Sequence, residues 1–297
     1  MDKISVYIIA YNQADKIEAA LKSVQWADEI VVADSFSTDR TALIAEQYGA
    51  RIVQIPFNGF GDLRNKAIES CTNEWIFSLD TDERCTIEAK DEILSIIKSH
   101  NTSKNNNESR DVNSIYNDAS LNELYYVPRK NFFMGQWIRH SGYYPDYRQP
   151  QLFKKGTLVF KPDPVHESYE IISQKGAGYM KSPIIQIPYK NLEEMIAKKN
   201  RYSTLGAEKL AAQKNITFKT INGRYNQNKA GCSMSTALMH GIWSFIKTYI
   251  IKAGVLDGWP GFVIALGNFE ETFYKYAKFN LKMYNLLEFP KNSSLTK

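Results

Sequence analysis

Two carboxylates, Asp80 and Asp82, close the apolar run Ile76-Phe-Ser-Leu. Carboxylates leaving the end of a buried strand offer hard oxygen ligands to Mg²⁺ or Mn²⁺, which keep part of their water shell and bind substrate phosphates. An isolated Asp-x-Asp also caps helices or simply faces solvent, so its neighbours matter. One is Asp34, closing a second apolar run, Val31-Val-Ala. A carboxylate there can accept hydrogen bonds from a ribose or a base edge, while Ser37 and Asp39 beyond it suit helix capping. Another is Arg64, after the Gly-rich stretch Asn58-Gly-Phe-Gly61. An arginine opening a helix pins a phosphate or clamps a loop carboxylate.

These residues need a frame, and the first hundred positions supply one. Ile4–Ala10 is a continuous β-branched and apolar run, which suits a strand buried on both faces; Glu29–Ala33 is a second apolar strand, Arg51–Ile55 a third strand and Trp75–Leu79 a fourth. Between them lie helical patterns: Ile17, Ala20, Leu21 and Val24 behind Asn12-Gln-Ala-Asp15, which resembles a capping box; a segment from Ser37 to Gly49; and a helix near Asp62–Ser70. Strands alternating with helices imply right-handed βαβ units, an α/β fold with a mostly parallel sheet. In such sheets ligands bind at the carboxyl ends of the strands, where Asp34, Asp80 and Asp82 fall.

The chain divides by pattern into four stretches. Residues 1–98 form the first α/β half. Residues 99–122 hold seven Asn and few large apolar side chains, the composition of a solvated insertion. Residues 123–190 resume order with an aromatic-rich segment (Phe132, Phe133, Trp137, Tyr143, Tyr144, Tyr147), and Gln151–Phe160 reads as a hairpin turning at Lys155-Gly156. Residues 191–297 are helical and basic, beginning with Leu192–Gln213.

The formal net charge of +5 conceals a gradient: residues 1–98 carry −7, 99–167 carry +2 and 168–297 carry +10. The acidic part suits a cation and the basic part an anionic surface. Nucleic acid explains the charge poorly, because no nucleic-acid motif accompanies it. The three cysteines, Cys71, Cys85 and Cys232, form no Cys-x-x-Cys, which fits a reducing compartment. The amino terminus carries no signal-peptide pattern, and no apolar run reaches the ~18 residues of a spanning helix. Paired hydrolase carboxylates, a Walker loop, Gly-x-Ser-x-Gly and His-Glu-x-x-His are all missing from the sequence.

Taken in order, Tyr11-Asn12, Asp34 with Ser37-Thr-Asp39, Arg64-Asn65 and Asp80-Thr-Asp82 resemble the nucleotide-sugar domain of family 2 glycosyltransferases. Downstream, Tyr144-Pro-Asp-Tyr147, Gln151-Leu-Phe-Lys-Lys-Gly156, Pro164-Val-His166-Glu167, Lys199-Asn-Arg201-Tyr-Ser203 and Gly254-Val-Leu-Asp-Gly258 are similar to the branch of lipopolysaccharide inner-core β-1,4-glucosyltransferases. The resemblance implies a GT-A fold, Rossmann-like, with helices flanking the central sheet. It also implies metal-dependent inverting transfer of a hexose, glucose first, from a UDP-sugar. Asp82 with Asp80 would hold Mn²⁺ or Mg²⁺; Tyr11, Asn12, Asp34, Arg64, Asp80 and Arg201 would face the donor. Glu167 stands where the family places its general base, and His166 competes for the role because its ordinary pKa lies nearer neutrality. Arg201 alternatively lies on a solvated helix face. One departure is Gln149-Pro150-Gln151, where the family commonly has an arginine before Leu-Phe; Arg148 is the nearest substitute.

Leu238, Ile242, Phe245, Ile246, Tyr249 and Ile250 recur at helical spacing, with Trp243, Lys247 and Lys252 among them. Such a helix packs on the catalytic domain or lies on a membrane surface. The basic charge and an anionic acceptor favour the membrane. The expected acceptor is a lipopolysaccharide core or related glycolipid at the cytoplasmic membrane face, with the enzyme peripheral on an anionic surface. The alternatives are transfer to polyprenyl phosphate and a non-catalytic nucleotide-sugar-binding adaptor.

Overall fold

The computed structural model describes residues 2–106, 122–161, 168–213 and 233–283. They divide into two compact units, residues 1–137 with 143–188, and residues 138–142 with 189–297. Five residues from the middle of the chain thus belong to the second unit, which composition does not reveal.

In the first unit, β1 (Ile4–Ala10), β2 (Glu29–Asp34), β3 (Arg51–Gln54) and β4 (Trp75–Asp80) pair in parallel, with β1 between β2 and β4. Helices α1 (Ile17–Ser23), α2 (Thr41–Gln47) and α3 (Phe60–Ser70) follow the first three strands. The sheet continues through β9 (Pro150–Lys154), antiparallel to β4, then β6 (Leu124–Tyr126) and β12 (Ala177–Tyr179), giving seven strands in the order β12-β6-β9-β4-β1-β2-β3. A four-stranded sheet joins β5 (Glu83–Arg84), β13 (Ile184–Gln186), β7 (Arg129–Phe133) and β8 (Gln136–Ile138), and β10 (Leu158–Phe160) pairs with β11 (Tyr169–Ile171). This is the expected α/β architecture.

The near-continuous apolar strands follow from burial on both faces. On one face Val6, Ile8, Trp75, Phe77 and Leu79 pack with Ile17 and Leu21 of α1 and with Ile93 and Ile97 of α4 (Ile87–Asn106). On the other, Tyr7, Val31, Ile76 and Phe153 pack with Leu63, Ala67 and Ile68 of α3. Gly61 is required where α3 meets the strand end: a Cβ there would lie 2.2 Å from the Lys161 carbonyl oxygen.

Three local expectations are corrected. The segment Asn12-Gln-Ala-Asp15 is not a capping box: α1 starts after Lys16 without a side-chain cap, and the Asn12 side chain instead accepts the Thr38 N–H at 2.8 Å. A contact distant in sequence has replaced the local one. Residues 151–160 are not a hairpin. Gly156 (φ +88°) turns the chain, but β9, buried at all five positions, enters the large sheet while β10 pairs elsewhere. Lastly, α4 runs to Asn106, so residues 99–106 continue a helix; the Asn-rich residues 107–121 lie outside the described ones.

In the second unit α5 (Leu192–Gln213) and α6 (Met234–Ile246) both pack on the long α7 (Gly258–Met283). A π-helical turn, Lys247–Ile251, and a 3-10 turn, Gly254–Asp257, lead from α6 to α7. Buried Asp257 accepts the backbone N–H groups of Arg139 (3.0 Å) and His140 (3.1 Å) and the Ser141 hydroxyl (2.9 Å), which fixes the inserted segment 138–142. No single helix among the described residues is long and apolar enough to cross a membrane.

At the amino-terminal end of the sheet Glu29 ties three elements together. It accepts from Arg51 of β3 (2.7 Å), Ser5 of β1 (2.5 Å) and both the N–H and hydroxyl of Thr72 (2.8 and 3.0 Å). Burial alone raises its pKa, but these hydrogen bonds outweigh it and bring the carboxyl from its ordinary 4.5 down to about 2. A depressed folded pKa stabilises the fold above the unfolded pKa and loses that contribution as pH falls through the folded one. Glu29→Gln should therefore lower the thermal midpoint at pH 7. The gap to the parent should close between pH 4.5 and about 2. A gap independent of pH would show that the carboxylate charge is not what matters.

Candidate active site

Strand register gathers the site. Asp34, the last residue of β2, lies opposite Ala10, and Asp80, the last of β4, lies opposite Ile9. Both acids and the turn at Tyr11-Asn12 therefore share the carboxyl edge of three adjacent strands. Alternation along β4 turns Ile76, Ser78 and Asp80 to the face covered by α3, where Arg64 waits. Its buried guanidinium donates to Asp80 Oδ1 at 2.9 Å and to Ser78 Oγ at 3.2 Å, and sits 5.6 Å from the centre of the Phe160 ring. Of the two roles open to Arg64, the structure displays the carboxylate clamp. Asn65, next to it, holds the backbone of Phe160 from both sides: its amide donates to the carbonyl (2.8 Å) and accepts the N–H (3.0 Å).

Asp34 has no exposed surface. Its carboxylate accepts the Ser37 N–H at 2.9 Å and the Ser37 hydroxyl, so it organises the loop after β2. Ser37 Oγ in turn accepts the Asn12 N–H (2.8 Å), and Asn12, at φ +51°, reaches back to Thr38. Asp39 closes the knot by accepting from the N–H groups of Thr41 (2.9 Å) and Ala14 (3.1 Å) and from the Thr41 hydroxyl. Burial works against the Asp39 carboxylate, but these bonds hold it below its usual range. Two rings stand exposed on this frame, Tyr11 and Phe36. Phe36 (φ +59°) carried no signal in the sequence, since its outward direction comes from the backbone turn.

Beneath the Asp80–Asp82 turn lies a group that motif reading passed over. Glu83 is fully buried and accepts Arg129 Nε at 2.6 Å, Gln151 Nε2 at 2.8 Å and the Asp80 N–H at 3.0 Å. Burial pushes this carboxyl up, with Asp80 and Asp82 adding to the effect and Arg129 opposing it. Gln151, which departs from the family's arginine, is the uncharged partner of Glu83 and also donates to the Ser78 carbonyl (3.1 Å). Arg148 does not take its place: it is exposed and paired with Asp146 at 2.7 Å.

Asp82 is half-buried; Gln186 of β13 approaches its Oδ1 at 3.4 Å, and its carbonyl accepts the Ile187 N–H at 2.9 Å. Asp80 is 30% exposed on its side chain. Among the described residues no three His, Cys, Asp or Glu side chains converge as a metal site. Two partly accessible carboxylates nonetheless fit a cation that completes its shell with water and substrate phosphate. His166 and Glu167 lie outside the described residues.

Arg201 is exposed on α5 in the second unit. The motif around it has a packing role. Lys199 is buried and donates to Asn268 (2.7 Å) and Glu271 (3.0 Å) of α7, and Lys278 of α7 donates to Ser203 and Thr204 (2.8 and 2.9 Å).

Residues 5–104 match the family model described as Glycosyl transferase family 2. An uncharacterized glycosyltransferase of Rickettsia felis is 44% identical over 102 residues, which are 34% of this chain and 36% of that protein. An uncharacterized glycosyltransferase of Rickettsia bellii is 28% identical over 96% of this chain and 86% of its own length. The lipopolysaccharide core biosynthesis glycosyltransferase LpsC of Rhizobium meliloti is 24% identical over 69% of this chain and 70% of its own. Residues 5–104, which carry Asp34, Arg64, Asp80 and Asp82, form a stretch that matches the family 2 glycosyltransferases.

Removing one partner of a buried ion pair leaves the other charge without compensation, at a cost of about 3–5 kcal/mol. Arg129→Ala should lower the stability of the first unit by that order in a denaturant titration, whereas exposed Arg148→Ala should change it by less than about 1 kcal/mol. Equal losses would mean that Arg129 matters only for its packing.

Proposed function

We propose that the chain is a metal-dependent inverting glycosyltransferase that moves a hexose, glucose first, from a UDP-sugar to a lipopolysaccharide-core or related glycolipid. The observation that carries this reading is the Asp80–Asp82 turn, clamped by Arg64 and seated on Glu83, at the strand edge that also holds Asp34 and Asn12. The similarity to a lipopolysaccharide core glycosyltransferase supports the acceptor class.

In this reading Asp82 and Asp80 would hold Mn²⁺ or Mg²⁺, which would supply compensating positive charge for the diphosphate leaving group. Tyr11, Asn12 and the Asp34 loop receive the uridine, with the Tyr11 and Phe36 rings open to its base. The acceptor hydroxyl attacks the anomeric carbon from the face opposite UDP. The new carbon–oxygen bond forms as the bond to the phosphate oxygen breaks, the hydroxyl proton passes to the Glu167 carboxylate, and UDP departs with the electron pair. His166 beside it orients the acceptor or a phosphate. Asp82→Ala should abolish UDP-glucose-dependent transfer and the stabilisation by UDP-glucose that requires Mn²⁺ in a thermal shift assay. Glu167→Gln should keep that stabilisation and lose transfer. Transfer surviving both substitutions would overturn the assignment.

The same reading places the enzyme peripherally on the cytoplasmic membrane face. Helix α6 and the π-helical turn after it are two-sided: Phe245 and Tyr249 pack on Phe262 of α7, while Leu238, Ile242 and Trp243 are exposed. Beyond it Ile250, Ile251, Val255, Leu256 and Trp259 are each more than half exposed, beside exposed Lys247 and Lys252. The segments Met234–Ile251 and Gly254–Asn280 are bent by 71° at their junction, which brings this apolar set to a corner. Apolar and aromatic side chains flanked by lysines suit the interface of an anionic bilayer. Leu256→Ser combined with Trp259→Ser should reduce flotation with phosphatidylglycerol vesicles by about tenfold or more. Unchanged flotation would remove this corner as the membrane contact.

A further inference from the structure

The aromatic residues of the middle stretch do not all enter the core. Tyr126, at the end of β6, and Tyr179, at the end of β12, lie directly opposite in register, and their rings stack at 5.0 Å and 15°. Tyr147 meets the Tyr179 ring edge-on at 5.2 Å and 89°, its own hydroxyl donating to the Met180 carbonyl at 3.1 Å. The Tyr126 and Tyr169 hydroxyls are 3.0 Å apart, and Tyr169 rests on Phe160 at 6.3 Å. Tyr179, held by rings on two sides, is still 63% exposed. Tyr125, one residue away on the opposite face, is 7% exposed. Packing explains the buried ring; it leaves the open one without a purpose.

Position supplies one. Strand β9 runs antiparallel to both β4 and β6, so β6 and β12 point the same way as β4 and end at the same edge of the sheet. Leu152 of β9 pairs with Phe77 on one side and Tyr125 on the other; after a register shift Tyr126 pairs with Pro150, the first residue of β9, so it lies beyond the level of Phe77, toward the end of β4 at Asp80. Strand spacing puts β6 about 10 Å and β12 about 14 Å from β4. Leu124 and Ile76 share one core with Phe160, and the hydrogen bond to Tyr169 keeps Tyr126 on that same face, the face of Asp80 and Arg64. An unbroken line of contacts runs from Asp80 through Arg64, Phe160, Tyr169 and Tyr126 to Tyr179.

We infer that Tyr126, Tyr147, Tyr169 and Tyr179 form an acceptor-sugar subsite, in which a pyranose ring of the acceptor packs on the exposed surface of Tyr179. This rests on the glycosyltransferase reading above and deepens it. One face of a pyranose is lined by C–H bonds with partial positive charge, which complement the negative face of an aromatic ring. The Tyr126–Tyr169 pair retains one O–H donor and spare lone pairs after its mutual bond, enough to meet a sugar hydroxyl in either sense. Burial pushes the Tyr169 phenol up, so it remains protonated at neutral pH. Tyrosines suit such a surface because two side-chain torsions fix a large amphipathic area. The ledge makes the acceptor a saccharide and places the unit it grips next to the one that reacts.

The test uses the full chain with maltotriose, cellotriose and mannotriose as probes in saturation-transfer NMR. Saturation should reach the ring C–H protons of at least one trisaccharide. Tyr179→Ala should weaken that binding by about three- to tenfold, and Tyr179→Phe should retain it. Circular dichroism controls for folding, and Mn²⁺-dependent UDP-glucose hydrolysis in the same preparations reads the donor site. Hydrolysis without Tyr179-dependent saccharide binding overturns the subsite and leaves the transferase reading standing. Saccharide binding that depends on Tyr179 without hydrolysis upholds a saccharide site at Tyr179 but overturns the transferase reading and with it the acceptor role. Binding that survives Tyr179→Ala also overturns the subsite.

Discussion

Glu83 is a carboxylate with no exposed surface, and the carboxyl edge of the sheet around Asp80 is arranged on it. Its three donors come from three places: Arg129 on β7, Gln151 on β9 and the backbone of Asp80. A buried charge is tolerated only when its hydrogen-bonding capacity is filled. The strands that supply those donors are therefore fixed relative to the Asp80–Asp82 turn. Arg64 acts from above on the same turn through Asp80. Of the two carboxylates best suited to a cation, Asp80 is held by Arg64 at its side chain and by Glu83 at its backbone N–H, while Asp82 is approached by Gln186. That arrangement limits their movement without consuming their solvent-facing sides, and such preorganisation is what electrostatic catalysis requires.

The second unit answers a different constraint. Its helices pack through specific polar contacts, Lys199 with Asn268 and Glu271, and Lys278 with Ser203 and Thr204, and through close approach at Gly241, where a Cβ would lie 2.9 Å from the Phe269 ring. Those contacts use one side of each helix. The residues at the corner between α6 and α7 are left outward, although water is a poor solvent for them. In the proposed function a bilayer interface would accommodate Trp259, Leu256 and Lys252 together, and the charge gradient along the chain would set the acidic part to the donor and the basic part to the lipid.

Much of this was legible before any coordinates. Four runs of strand length, separated by helical patterns, imply the parallel sheet, and the near-complete burial of β1, β2 and β4 accounts for their apolar character, while β3 at the sheet edge is exposed at Arg51 and Gln54. Asp34, Arg64, Asp80 and Asp82 stood out because they end those runs or open the helices between them. The hairpin expected across residues 151–160 failed for a related reason. Local turn chemistry at Lys155-Gly156 was read correctly, but the choice of partner strands depends on which sheet can bury β9 on both sides. The capping box at Asn12 failed because Thr38, twenty-six residues away, competes better for its side chain.

The sequence by itself determined the strand–helix alternation, the acids at the strand ends and the polarity of charge, because each depends on residues close together in the chain. Tertiary structure decided what those residues meet. Asp34 turned out to be enclosed by Ser37; Arg64 became a clamp on Asp80; and the family's expected arginine position is held by Gln151, with Arg129 supplying the charge to Glu83. The tyrosine ledge belongs to the same class, since Tyr126, Tyr147, Tyr169 and Tyr179 lie on separate segments. Hydrogen bonds and ring stacking act over a few ångströms in space, and only the folded sheet brings those groups within that range.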